Sequence, residues 1–150
     1  MKVYIGADHR GFELKKKIVG VLKSKGHEVM DVGTHTQGDD CDYPQFSYEV
    51  ATRVAKTEAS RGILVCMTGI GHSIAANKVP GAYAALCYNK EAAVLSRQHN
   101  NANILVVGSK FVSESEILEI IEVWLASSFE GERHSRRTEQ IKKIEKEFLR

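Results

Sequence analysis

The chain has 150 residues, of which 43% are apolar and 27% charged, and a formal net charge of +2. Residues 1–150 therefore fit one water-soluble globular domain, long enough to bury roughly 70% of its unfolded surface. A charge this small argues against nucleic acid or an anionic membrane surface as partner, and no apolar run approaches the ~20 residues that a bilayer requires. Cys41, Cys66 and Cys87 are odd in number and show no Cys-x-x-Cys spacing, and no signal peptide is read at Met1-Lys-Val-Tyr-Ile5. Both point to a reducing, cytoplasmic setting.

In chain order, Val3–Gly6 reads as a first strand and Ala7-Asp-His-Arg-Gly11 as the loop at its C-terminal end. Residues 12–25 read as a helix. Leu14, Ile18, Val21 and Leu22 make its buried stripe, and Lys15, Lys16, Lys17, Lys23 and Lys25 are assigned to a solvated face. Gly26 is the stop signal. Glu28–Val32 is a second strand. A polar loop, Gly33 to Asp42, carries His35, Asp39, Asp40, Cys41 and Asp42. Pro44 opens the next helix, with Val50, Ala51 and Val54 on its inner side. The apolar run Ile63–Val65 leads into Cys66, a loop containing Gly69 and Gly71, and a helix from about Ser73. Ala82–Leu86 reads as strand four, Lys90–Gln98 as a helix, Asn103–Val107 as strand five and Gly108–Lys110 as the loop beyond it.

The helix over 113–127 opens on a capping box, Ser113-Glu-Ser-Glu116, and its apolar residues exceed one stripe, so it is expected to contribute to a subunit interface as well as to the core. A charged helix over 135–148 sets Ile141, Ile144 and Phe148 on one side, as an arm that packs on a partner would. Strand and helix alternate throughout and the strands are continuously apolar. That predicts an α/β three-layer sandwich with a parallel five-stranded sheet and a C-terminal helical arm, with ligands held beyond the C-terminal strand ends.

The stretch from Gly62 to Lys78 holds the chemistry. A thiol at a strand end, a glycine loop and a helix start form an anion-binding arrangement, in which Cys66 is expected to have a lowered pKa. Several other chemistries do not fit. Gly6-Ala-Asp-His-Arg-Gly11 is no dinucleotide fingerprint. Position 72 is His72, not the arginine a cysteine phosphatase needs after its thiol. Cys66 stands where a phospho-receiver wants an aspartate, although Asp8 and Lys110 would suit one. The six histidines include no His-x-His or His-x3-His pair, so a metal is not indicated.

Asp8-His9, Asp42-Tyr-Pro44, Cys66-Met-Thr-Gly-Ile-Gly71, Ser73-Ile-Ala-Ala-Asn-Lys78, Ser96-Arg-Gln-His-Asn100 and Gly131-Glu-Arg-His134 occur in that order. Taken together, these blocks resemble the type B ribose-5-phosphate isomerases, in the family that includes the galactose-6-phosphate isomerase subunits. The resemblance spans essentially the whole chain. It implies a Rossmann-like fold, a homodimer or dimer of dimers, and aldose–ketose isomerisation of a sugar phosphate without metal or other cofactor. By resemblance Cys66 is the base, and the amides from Met67 through Gly69 and Ile70 to Gly71, with the Thr68 hydroxyl, hold an enediolate. His99 opens the sugar ring, Asp8 and Asn100 position hydroxyls, and Arg133, Arg137 and His9 take the phosphate. Lys110 stands where the family has an arginine, Met67 where it has glycine, His72 where it has an apolar residue, and Ala82-Tyr83 where it has Ile-Arg. Ribose 5-phosphate is the first expectation for the substrate. A hexose 6-phosphate, a tetrose phosphate, or binding without catalysis are the alternatives.

Overall fold

A computed structural model describes residues 1–36 and 41–148; Asp39 and Asp40 of the polar loop lie outside them. The strands are β1 (Lys2–Ala7), β2 (Glu28–Asp31), β3 (Arg61–Cys66), β4 (Ala84–Leu86) and β5 (Ile104–Gly108). The helices are α1 (Phe12–Ser24), α2 (Tyr43–Lys56), α3 (Ile70–Ala76), α4 (Lys90–Gln98), α5 (Glu114–Ala126) and α6 (Arg133–Phe148). A short 3-10 turn, His9–Gly11, leads from β1 into α1.

All strand pairings are parallel, and the sheet order is β2-β1-β3-β5-β4. Side chains alternate across such a sheet, and the core divides accordingly. Val3, Ile5, Ile63, Val65, Leu105 and Val107 face α1, α4 and α5. Tyr4, Leu64, Ile104 and Val106 face α2 and α3. This is the three-layer α/β architecture expected. From β1 the chain moves outward to β2 and then returns to place β3 on the other side of β1. The order reverses between β1 and β3, and their C-terminal ends, carrying Asp8 and Cys66, flank the crevice where ligands bind in open α/β sheets.

Several local expectations are corrected. Lys15 is fully buried rather than solvated. Its Nζ lies 2.7 Å from Asp31 Oδ1 and also donates to the Thr34 carbonyl, tying α1 to the end of β2. Strand β2 is an edge strand with only Val29 half-buried, so its apolar character is not that of β3 or β5. Helix α3 begins at Ile70, three residues earlier than its small residues suggested, because Gly69 adopts φ +83° and turns the chain directly into it. Helix α5 is capped as expected, Ser113 Oγ accepting from Glu116 N at 3.3 Å. Its apolar breadth is largely met inside the chain. Ile117, Ile120, Ile121 and Trp124 are buried, and Leu118, Val123 and Leu125 pack against the same core. Among the described residues no helix is long and apolar enough to cross a membrane.

Candidate active site

The loop after β3 is held from three sides. Ser109 N donates to the Cys66 carbonyl at 3.0 Å and Lys110 N to that of Met67 at 2.9 Å, so the end of β5 fixes the loop's first residues. The approach is so close that a side chain at Gly108 would strike the Thr68 carbonyl. Tyr88 Oη donates to that same carbonyl at 2.7 Å. The Thr68 hydroxyl accepts from Ile70 N at 3.2 Å, which leaves its own proton free to be donated.

Asp8 faces this loop from the end of β1. Its Oδ1 accepts from Arg10 N and Gly11 N, which locks the carboxylate in place, and its Oδ2 accepts from the Cys66 thiol at 3.3 Å. The thiol's pKa is pushed up to about 11, first by burial and then by the hydrogen bond to Asp8 and its negative charge. The Met67 and Gly69 amides pull the other way, but more weakly. The lowered pKa expected from the glycine loop alone is therefore overturned in the isolated chain: loss of water and a carboxylate beside the sulfur outweigh two amide dipoles.

His72 does not face the anion loop. It is buried, with Nδ1 2.6 Å from Ser47 Oγ and its ring edge-on to Tyr43. Burial lowers its pKa to about 4. Cys41 approaches His9, with Sγ 3.8 Å from Nδ1.

The residues named from sequence fall into two groups. Asp8, His9, Cys66, Met67, Thr68, Gly69, Ile70, Gly71 and Lys110 gather at the C-terminal end of the sheet. His99 ends α4, which runs back antiparallel to the strands. Asn103, just beyond it, accepts from Gly62 N at 2.9 Å, at the start of β3. Asn100, Arg133 and Arg137 share that end. Glu130 N donates to the Gln98 carbonyl at 3.0 Å, and Glu145 of α6 accepts from Gly81 N and Tyr83 Oη at 2.9 Å each. With β3 six residues long, the two groups stand on the order of 16 Å apart within one chain, at about 3.3 Å per residue. Tyr83 accordingly anchors the arm and does not border the Cys66 loop.

Two contributors escaped the sequence reading. Arg10 lays Nη1 2.8 Å from Met67 Sδ, so a cation sits on the rim of the loop and the Met67 side chain is turned toward it. His134 is buried and stacks on His99, with ring centroids 4.2 Å apart. The spacing of residues 10 and 67, or of 99 and 134, offers no local pattern by which either contact could have been found.

A family model described as Ribose/Galactose Isomerase matches residues 3–141. The chain belongs to this family. It is thereby an aldose–ketose isomerase. The ribose-5-phosphate isomerase B of Escherichia coli is 45% identical over 144 residues, covering 96% of each chain. The ribose-5-phosphate isomerase B of Clostridium thermocellum superposes with a TM-score of 0.95 at 48% identity, over 99% of both chains. That of Mycoplasma genitalium, solved with bound ribulose-5-phosphate, superposes with a TM-score of 0.94 at 44% identity over 97% of both.

Proposed function

We propose that the protein interconverts ribose 5-phosphate and ribulose 5-phosphate, in a site that two copies of the chain build together. The carrying observation is the Cys66–Asp8 pair beside the Gly69 loop, at the switch point of a sheet that superposes on relatives of this activity. Isomerisation moves a proton between C2 and C1 through a cis-enediolate. Cys66, as thiolate, takes the C2 proton from the open aldose and returns it at C1, while the hydroxyl proton passes from O2 to O1. The amides of residues 67–71 and the Thr68 hydroxyl face the developing negative charge. Before this the sugar ring must open, and His99 supplies that proton transfer. Arg133 and Arg137 hold the phosphate in a forked geometry, with His9. Asp8 positions the substrate hydroxyls, and its Oδ2 holds the Cys66 thiol in place by accepting its hydrogen bond.

The separation of His99, Arg133 and Arg137 from Cys66 supports contribution from a second copy. So do the exposed apolar side chains beside each group. Ile70 and Ile74 stand next to the Cys66 loop, and Ile144 and Phe148, 60% and 73% exposed, run along the arm. Surfaces of this kind mark contacts between chains.

The test is turnover of ribose 5-phosphate in the presence of EDTA, with allose 6-phosphate and galactose 6-phosphate alongside. Ribose 5-phosphate is the expected substrate, and Cys66→Ala is expected to lose at least ~10²-fold in kcat while still binding it. Turnover of a hexose phosphate alone would move the substrate assignment. Near-normal turnover by Cys66→Ala would remove the thiol from the mechanism.

A further inference from the structure

Tyr88 holds the Cys66 loop from the β4 side. It sits in the short connection from β4 to α4, where the backbone is fixed before and after it. Cys87 N donates to the Val106 carbonyl at 3.1 Å, and Asn89 Oδ1 accepts from Ala92 N at 2.8 Å as the cap of α4. Phe111, beyond β5, meets the Tyr88 ring edge-on with centroids 5.5 Å apart. The hydroxyl so placed donates to the Thr68 carbonyl at 2.7 Å. That carbonyl belongs to the peptide joining Thr68 to Gly69. In a trans peptide the C=O and N–H point opposite ways, so a carbonyl held toward Tyr88 sends the Gly69 N–H to the other side. The Gly69 N–H is one of the two amides that favour negative charge on the Cys66 sulfur.

We infer that Tyr88 is a positioning residue for isomerisation: its hydroxyl locks the Thr68–Gly69 peptide with the N–H turned toward Cys66 and the enediolate. Without such a lock that peptide is free to turn over. Reversing it changes mainly ψ of Thr68 and φ of Gly69, and glycine, here at φ +83°, adopts either sign at little cost. The glycine that turns the chain into α3 therefore leaves the loop a second orientation. In that orientation the carbonyl oxygen, the negative end of the peptide dipole, would face a thiolate and an enediolate and oppose both. The neighbouring peptides have their own ties. Lys110 N holds the Met67 carbonyl at 2.9 Å, and Ile70 N donates to the Thr68 hydroxyl at 3.2 Å. Tyr88 supplies the tie for the peptide between them. Its hydrogen bond also polarises that peptide, which strengthens the N–H as a donor. The role in turnover rests on the mechanism proposed for Cys66; the effect on the thiol does not.

The test compares the parent with Tyr88→Phe, which keeps the ring and its contact with Phe111 and removes only the hydroxyl, and with Tyr88→Leu, which removes both. Two quantities are measured. One is steady-state turnover of ribose 5-phosphate. The other is the rate at which iodoacetamide alkylates Cys66 at one fixed pH, followed by mass spectrometry with the half-buried Cys41 of the same chain as internal reference. Tyr88→Phe is expected to lose about tenfold in kcat with KM within roughly twofold of the parent, because the amide acts on charge that develops after the substrate has bound. It is also expected to slow Cys66 alkylation at least about threefold relative to Cys41, since a thiol without its amide gives up its proton less readily. A merely structural tyrosine gives another pattern: Tyr88→Phe like the parent, with loss only in Tyr88→Leu, would overturn the proposal. So would a loss in Tyr88→Phe confined to KM, or unchanged alkylation of Cys66. A parent without turnover would refute the isomerase reading, while slower alkylation in Tyr88→Phe would still bear out the hold of Tyr88 on the amide.

Discussion

At Cys66 the sequence and its folded surroundings give opposite signs. Glycine-loop amides stabilise a thiolate, yet burial and the Asp8 carboxylate hold the proton on sulfur. At neutral pH the thiolate is therefore the minor form, and under the proposed mechanism kcat/KM should rise with pH through the neutral range. Asp8→Asn keeps the acceptor for Arg10 N and Gly11 N but removes the charge facing the thiol. The acid limb of the pH–rate profile should then move down by on the order of one unit, and an unmoved limb would show that Asp8 does not act on the sulfur. His72 makes a second prediction at this scale. Its pKa of about 4 in the folded chain lies below the ordinary 6.5, so the unfolded chain binds more protons between those values. The stabilisation is present above pH 6.5 and is lost as pH falls toward 4, on the order of 3 kcal/mol in all. Urea unfolding at pH 7 and near pH 4 should show a smaller drop for His72→Gln than for the parent.

Among the elements, α1 shows what helical periodicity can and cannot say. Its apolar stripe was correctly read from Leu14, Ile18 and Leu22, and its run of lysines pointed to a wet face. Lys15 leaves that face because β2 ends beside it, and Asp31 and the Thr34 carbonyl receive its ammonium group. Removing one partner of a buried pair leaves the other polar groups unmet. Lys15→Ala should therefore lower unfolding stability by roughly 3 kcal/mol, whereas Lys16→Ala should change it little. Helix α6 makes the complementary point. Its apolar side was seen in the sequence, and it remains uncovered in the single chain at Ile141, Ile144 and Phe148.

For the whole molecule, the decisive feature is the division of the site residues between the two ends of the sheet. If two copies complete each site, an inactive Cys66→Ala chain and an inactive His99→Asn chain should rescue one another. Co-expressed with different tags and isolated as the mixed pair, they should show about half the activity of the parent dimer, since one of two sites is intact. A mixed pair no more active than either variant alone would mean that Cys66 and His99 act within one chain.

The sequence by itself determined the element order, the parallel three-layer sheet and the Cys66 loop. These follow from local periodicity, short apolar runs and glycine placement, all written within a few neighbouring residues. His99, Arg133 and Arg137 were singled out only through resemblance to a known family. Only the tertiary structure decided that Lys15 and His72 are buried, that Asp8 meets Cys66, that Arg10 meets Met67 and that His134 stacks on His99. It alone set the two groups of site residues apart. Burial, proton affinity and long-range contact depend on what packs from elsewhere in the chain, and no window of sequence around a residue carries that information.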